Sequence, residues 1–106
     1  VIKWLKKLFK KKKLTNVQWW DKYRAYLNSR KWQAIRARVL KRDKHRCTYR
    51  VLMFFRCSAK TYLQVHHVHY RYVFNETKDL RCLKTLCEKH HKLEHQKKKA
   101  KKLAKD

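Results

Sequence analysis

Glycine and proline are both absent from the 106 residues. Average usage would give about 12 of the two together. Their codons begin with GG and CC, so a very AT-rich gene loses them and gains lysine. Acidic residues are scarce too: 7 Asp and Glu stand against 32 Lys and Arg, for a formal net charge of +25. Such a chain repels itself unless a polyanion neutralises it, so nucleic acid or an anionic membrane surface is the natural partner. Long apolar runs are missing. The longest uncharged stretch, Thr61 to Tyr70, carries three histidines. A membrane span needs roughly 20 apolar residues, so no transmembrane segment is expected. Lysines interrupt every apolar run, so no secretory signal is expected, and residues 1–13 are Lys-rich where a mitochondrial leader is Arg-rich.

The length suits one small domain and is too short for two. Apolar residues make up 43% and aromatics 13%, enough for a core. A domain this small buries only about 60–65% of its unfolded surface, so an added staple is expected.

Residues 1–13 place Val1, Trp4, Leu5, Leu8 and Phe9 on one helical face, with lysines elsewhere. Thr15-x-x-Gln18 reads as a capping box. The helix it opens, from Asn16 to about Leu27, has Val17, Trp20, Tyr23 and Leu27 on one side. Asn28 or Ser29 caps the next helix. That helix runs from about Lys31 to Arg42, with Trp32, Ile35, Val39 and Leu40 as its buried stripe. A turn at Asp43 to Arg46 leads to a predicted strand, Thr48 to Phe55, rich in β-branched and aromatic residues. Thr61 to Tyr70 is a second strand, residues 71–78 a polar loop, and Arg81 to Leu86 a short return strand. From Glu88 onward the pattern is helical.

Histidine and cysteine are concentrated. Six of the seven histidines lie between residues 66 and 95, and Cys47, Cys57, Cys82 and Cys87 flank or enter that region. Two disulfides in a secreted protein are one reading of four cysteines. The missing secretory signal and the charge favour metal, and zinc supplies folding energy that a small core lacks. Cys87-x-x-His90 has knuckle spacing. Its partner pair is Cys47 and Cys57, with nine residues between them. An excursion through YRVLMFFR can still bring the two thiolates together. Zn2+ held by Cys47, Cys57, Cys87 and His90 is therefore the expected staple. The rival reading makes Cys57 and Cys82 small buried apolar residues. His91 and His95 share a helix face. With His66 from the strand end they can hold a second divalent metal, leaving His67 free to act on a water. A metal for the scissile phosphate and a base for the water are what phosphodiester hydrolysis needs.

The runs LQVHHVHY at 63–70 and LKTLCEKHHKLEH at 83–95 resemble the core of HNH endonucleases, the ββα-metal fold. YLNSRKWQAIRARVLKRDKHRC at 26–47 is similar to the lead-in of bacterial and phage members. The resemblance covers roughly residues 26–95. It implies His67 as general base and His66 as a ligand of the catalytic metal. His91 and His95 match the helix ligands of the nuclease-toxin branch, and Cys57 and Cys87 match zinc cysteines. Three positions depart from the family pattern. His90 stands where the second cysteine of Cys-x-x-Cys-His is usual, and Cys47 and Cys57 are more widely spaced than the usual knuckle. The middle Asn or Asp, which braces the loop, falls at Cys82, with Asp79 the nearest alternative.

The expected fold is α+β: a small zinc-stabilised ββα-metal core with N-terminal helices and a basic C-terminal helix. Residues 1–14 form the basic amphipathic helix, 15–95 the lead-in and HNH-like domain, and 96–106 a lysine-rich extension. The expected function is metal-dependent cleavage of DNA or RNA, with Mg2+, Mn2+ or Ni2+ as the catalytic ion. The alternative is a non-catalytic nucleic-acid-binding protein on the same scaffold, part of a large RNA–protein or phage assembly. A secreted basic protein that disrupts membranes ranks last. Lys10, Lys11, Lys12, Lys13, Lys97, Lys98, Lys99, Lys101 and Lys102 are the expected phosphate contacts. Free thiolates as ligands place the protein in an intracellular, reducing compartment.

Overall fold

The computed structural model describes residues 13–105. The amphipathic face of residues 1–12 and the candidate contacts Lys10, Lys11 and Lys12 lie outside the described residues. Among the described residues the fold is mixed α+β, with three helices and two small two-stranded sheets. No helix among the described residues is long and apolar enough to cross a membrane.

Helix α1 spans Asn16–Leu27 and opens on the capping box read from the sequence. The Thr15 hydroxyl accepts from Gln18 N–H at 3.2 Å, and Gln18 Oε1 accepts from Thr15 N–H at 3.0 Å. Helix α2 spans Arg30–Arg42, with Ser29 Oγ accepting from Trp32 N–H at 3.1 Å. Its stripe of Trp32, Ile35, Val39 and Leu40 is buried as expected. The α1 face is not: α1 buries no residue, and Val17 is 71% exposed. Trp19, Trp20, Tyr23 and Tyr70 pack against one another, edge-to-face or stacked, with Trp20 and Tyr70 still exposed.

The expected single strand at Thr48 to Phe55 is a hairpin instead. Strand β1, Arg50–Leu52, turns at Met53 and Phe54 and pairs antiparallel with β2, Phe55–Arg56. Bonds at its base force the reversal: Cys47 N–H donates to Ala59 O at 3.0 Å and Cys57 N–H to Tyr49 O at 2.7 Å. Strand β3, Leu63–His67, pairs antiparallel with β4, Leu83–Cys87. β3 is shorter at both ends than the expected span, and β4 starts later than expected because Leu80–Cys82 winds into a 3-10 turn. Helix α3, Glu88–Lys105, follows β4 with no intervening loop.

Two apolar clusters anchor these elements. One joins α2 to Cys82 and Leu83; the other gathers Cys47, Leu86 and Cys87. Asp43 links α2 to β4. Its carboxylate accepts from the Arg42 guanidinium at 2.9 and 3.0 Å and from Thr85 N–H at 3.1 Å. The lack of glycine is visible in the backbone. Lys44, His45, Tyr62 and Phe74 take left-handed φ between 52 and 73°, where a Cβ normally disfavours the chain.

Candidate functional site

The junction of β4 and α3 places Cys87 and His90 at a helix start, and the hairpin base brings Cys47 and Cys57 to it. The ligand atoms of these residues all lie within 4.8 Å of one another. Cys47 Sγ is 3.6 Å and Cys87 Sγ 3.2 Å from His90 Nδ1. The Tyr49 ring stacks on the His90 imidazole with centroids 4.0 Å apart. All four cysteines of the chain are free thiols. Burial pushes Cys47 up to about 11. Burial also acts on Cys87, but the His90 N–H and the neighbouring thiols outweigh it, and its pKa is lowered. Cys87 is thus the first of the pair to become a thiolate. Three sulfurs and one imidazole are a structural zinc set, and a zinc tetrahedron separates its sulfurs by about 3.8 Å. The residues fit that ion, and a metal such as zinc can be held here.

The second group is His66, His91 and His95, whose ring nitrogens also lie within 4.8 Å of one another. His66 comes from β3; His91 and His95 come from successive turns of α3, with their Nε2 atoms 3.2 Å apart. Burial pushes His66 down to about 3, helped by Lys98 and the two other histidines. His91 is lowered by burial, His95 and Lys98. His66 and His91 therefore keep free lone pairs at neutral pH, as metal ligands must. Imidazole nitrogens around a zinc-like ion sit about 3.3 Å apart, so these residues fit a divalent ion too. His91 and His95 line a cleft of about 560 Å³ together with Trp20, Tyr23, Trp32 and Arg36.

His67 is not with them. The alternation of β3 turns it to the opposite face, where it is 3% exposed. Its Nε2 lies 2.9 Å from Glu76 Oε2 and its Nδ1 3.0 Å from the Tyr23 hydroxyl. Glu76 is fully buried, and its Oε1 accepts from Tyr26 O–H at 2.6 Å. The His67 ring also stacks on Trp32, 5.0 Å between centroids. Burial lowers the His67 pKa against the pull of Glu76. The lowered pKa favours the neutral imidazole; a carboxylate only accepts, so the tautomer that suits these contacts carries its N–H on Nε2 toward Glu76 and leaves Nδ1 to accept from the Tyr23 hydroxyl. The expectation of a histidine open to water is thus not met in this conformation.

The loop-brace positions also differ from expectation. Cys82 is 2% exposed among Trp32, Ile35, Val39 and Leu83, so it is a small core residue. A backbone bond does the bracing, from Val68 N–H to Cys82 O at 2.8 Å. Asp79 caps the following 3-10 turn and pairs with Arg81. The C-terminal lysines divide in two. Lys97 Nζ donates to the Tyr49 hydroxyl at 3.0 Å and Lys98 Nζ to His67 O at 3.3 Å. Lys13, Lys99, Lys101 and Lys102 are exposed.

Sequence reasoning missed Tyr23, Tyr26 and Glu76. One signal was present: Glu76 is the only acidic residue between Asp43 and Asp79. Compared with protein-family models, curated proteins and solved structures, the chain finds no match in any of the three.

Proposed function

We propose that this chain is a metal-dependent phosphodiester hydrolase of the HNH type, acting on nucleic acid. The observation that supports it is the convergence of His66, His91 and His95 beside an open cleft. Three protein donors leave a coordination position for water or a phosphate oxygen, the pattern of a catalytic rather than a structural site. A divalent ion bound there supplies Lewis-acid stabilisation of the phosphate and the leaving oxygen.

The chain's own groups do the rest. Arg36 in the cleft and Lys98 beside His66 offer positive charge to the phosphate. Glu76 fixes the His67 tautomer, so the proton-accepting lone pair sits on Nδ1. The Tyr23 hydroxyl fills that position. Burial, with Tyr70 and Glu76 adding to it, raises the Tyr23 pKa to about 12, so Tyr23 stays protonated and is a cap rather than a nucleophile. His67 becomes a general base when Tyr23 turns away from it, and α1, which buries no residue, is the element that can move.

One observation favours a second reading. With both ring nitrogens of His67 engaged, the same scaffold serves as a non-catalytic nucleic-acid-binding protein in a large nucleoprotein assembly. Nicking of supercoiled DNA and cutting of labelled RNA, with Mg2+, Mn2+ or Ni2+, separate the two. The hydrolase reading expects cleavage by the wild type and none by His91→Ala. Salt-sensitive binding without cleavage under any of these ions selects the scaffold.

A further inference from the structure

The apolar run Val51 to Phe55 stands out in so basic a chain, and the described residues leave it exposed. Val51, Leu52, Met53, Phe54 and Phe55 are 60, 65, 80, 83 and 65% exposed. Scattered exposed apolar residues are ordinary, but a contiguous patch marks a binding surface. Turns of two residues usually carry Gly, Asn or Asp; here Met53 and Phe54 form the tip. No described residue covers them. The hairpin is held firmly at its base. Arg56 donates to Asp43 O and Arg46 O, Arg46 donates to Cys57 O, and Cys47 and Cys57 belong to the thiol cluster. A rigid stem thus presents an apolar tip.

The charge around it identifies the occupant. Residues 44–75 contain no acidic side chain. Each described carboxylate elsewhere is already engaged: Asp21, Asp43, Asp79, Glu88 and Glu94 meet Arg or Lys of the same chain, and Glu76 is buried against His67 and Tyr26. Arg50, at the mouth of the hairpin, and Lys44 and Lys60 on the adjoining segments are exposed. The partner is therefore a polyanion with apolar faces inside. A lipid surface takes a broad apolar face, whereas a two-residue tip matches the width of one base step. Phe, Leu and Met are the side chains that wedge between bases.

We infer that the Met53–Phe54 tip is a wedge that enters the base stack of a nucleic acid, with Arg50, Lys44 and Lys60 on the flanking phosphates. The inference rests on the proposed nucleic-acid substrate and adds how the chain grips it. Aromatic stacking on a base is lost at a cost equivalent to about 5- to 150-fold in affinity.

The test uses the full metal-loaded chain and a duplex in which 2-aminopurine reports unstacking, at about 50 and 200 mM salt. The wild type should brighten the probe on binding. The double variant Met53→Ala/Phe54→Ala should lose the brightening and bind more weakly by the factor above. Its salt slope should stay that of the wild type, because no phosphate contact is removed. Its melting temperature should also be unchanged, since the two side chains are 80 and 83% exposed and no described residue covers them. Binding with equal brightening by both proteins overturns the wedge and leaves the nucleic-acid reading intact. A lower melting temperature overturns it by showing that a segment of the chain covers the tip. Tip-dependent binding to anionic vesicles, with no brightening on the duplex, overturns it in favour of a lipid surface. A wild type that binds neither DNA nor RNA overturns both the wedge and the proposed function.

Discussion

Replacing Asp43 tests whether the joint between α2 and β4 holds the histidine-bearing sheet in place. Asp43→Ala leaves the Thr85 N–H without its acceptor, and Thr85 is fully buried. An orphaned buried donor costs about 1–3 kcal/mol. The Arg42 pair adds less than about 1 kcal/mol, because that side chain is 39% exposed and water screens it. The sum is about 1–4 kcal/mol, or roughly 4–30 °C in melting temperature for a domain of this size. Asp43→Asn keeps a carbonyl oxygen for the Thr85 amide and should lose only about 1 kcal/mol. The pH dependence has a definite sign. Burial alone would raise the Asp43 pKa, but the Arg42 guanidinium and the Thr85 hydrogen bonding outweigh it and hold the carboxyl below its ordinary range. Its contribution is therefore complete above the unfolded carboxyl value of about 3.9 and is lost as the pH falls through the lower folded value. Thermal unfolding followed by circular dichroism, from neutral pH down to about pH 3, should show wild type and Asp43→Ala converging only below about pH 4. A neutral-pH difference under about 0.5 kcal/mol, or a difference that grows on acidification, refutes the joint.

Three further outcomes follow from the same geometry. A strong chelator should unfold residues 43–95 as one unit, because structural zinc supplies on the order of 10 kcal/mol in small modules; circular dichroism that survives the chelator in zinc-free protein contradicts this. Affinity for nucleic acid should fall roughly 10³–10⁵-fold between about 50 and 200 mM salt if about 6–10 phosphates are neutralised. Truncation should start at Lys99, since Lys97 and Lys98 contact Tyr49 and His67; it should flatten the slope and leave the melting temperature unchanged. In the cleavage assay, Tyr23→Phe should raise the rate by about fivefold by removing the hydrogen bond to His67 Nδ1, and His67→Ala should lower it by about 10²–10⁴-fold. Equal rates for wild type and both variants rule out His67 as the base.

What the sequence made legible was local. The capping box at Thr15, the Trp32 to Leu40 stripe and the i, i+4 pairing of His91 and His95 depend on residues a few positions apart. The Cys87-x-x-His90 pair was readable for the same reason. Tertiary packing decided the rest. Val51 to Phe55 has the composition of a strand, and the long-range bonds of Cys47, Cys57, Arg46 and Arg56 at the base fold it back into a hairpin. The α1 stripe has the period of a buried face, but no described element packs over Val17. Strand alternation puts His66 and His67 on opposite faces. Which face would be covered depended on Tyr23 from α1, Trp32 from α2 and Glu76 from the 3-10 turn Glu76–Lys78. Cys82 aligned with a functional position and instead fills a gap in the core.

The most direct test is a divalent-ion titration of the metal-stripped chain, followed by calorimetry, comparing wild type with His91→Ala and Cys57→Ser. Two independent sites are predicted in the wild type: a tight cysteine-rich site and a weaker one made of imidazoles. His91→Ala should lose only the weaker site and keep its fold, while Cys57→Ser should weaken the tight site. A wild type with a single site, or a second site that persists in His91→Ala, contradicts the assignment of His66, His91 and His95 as a metal centre.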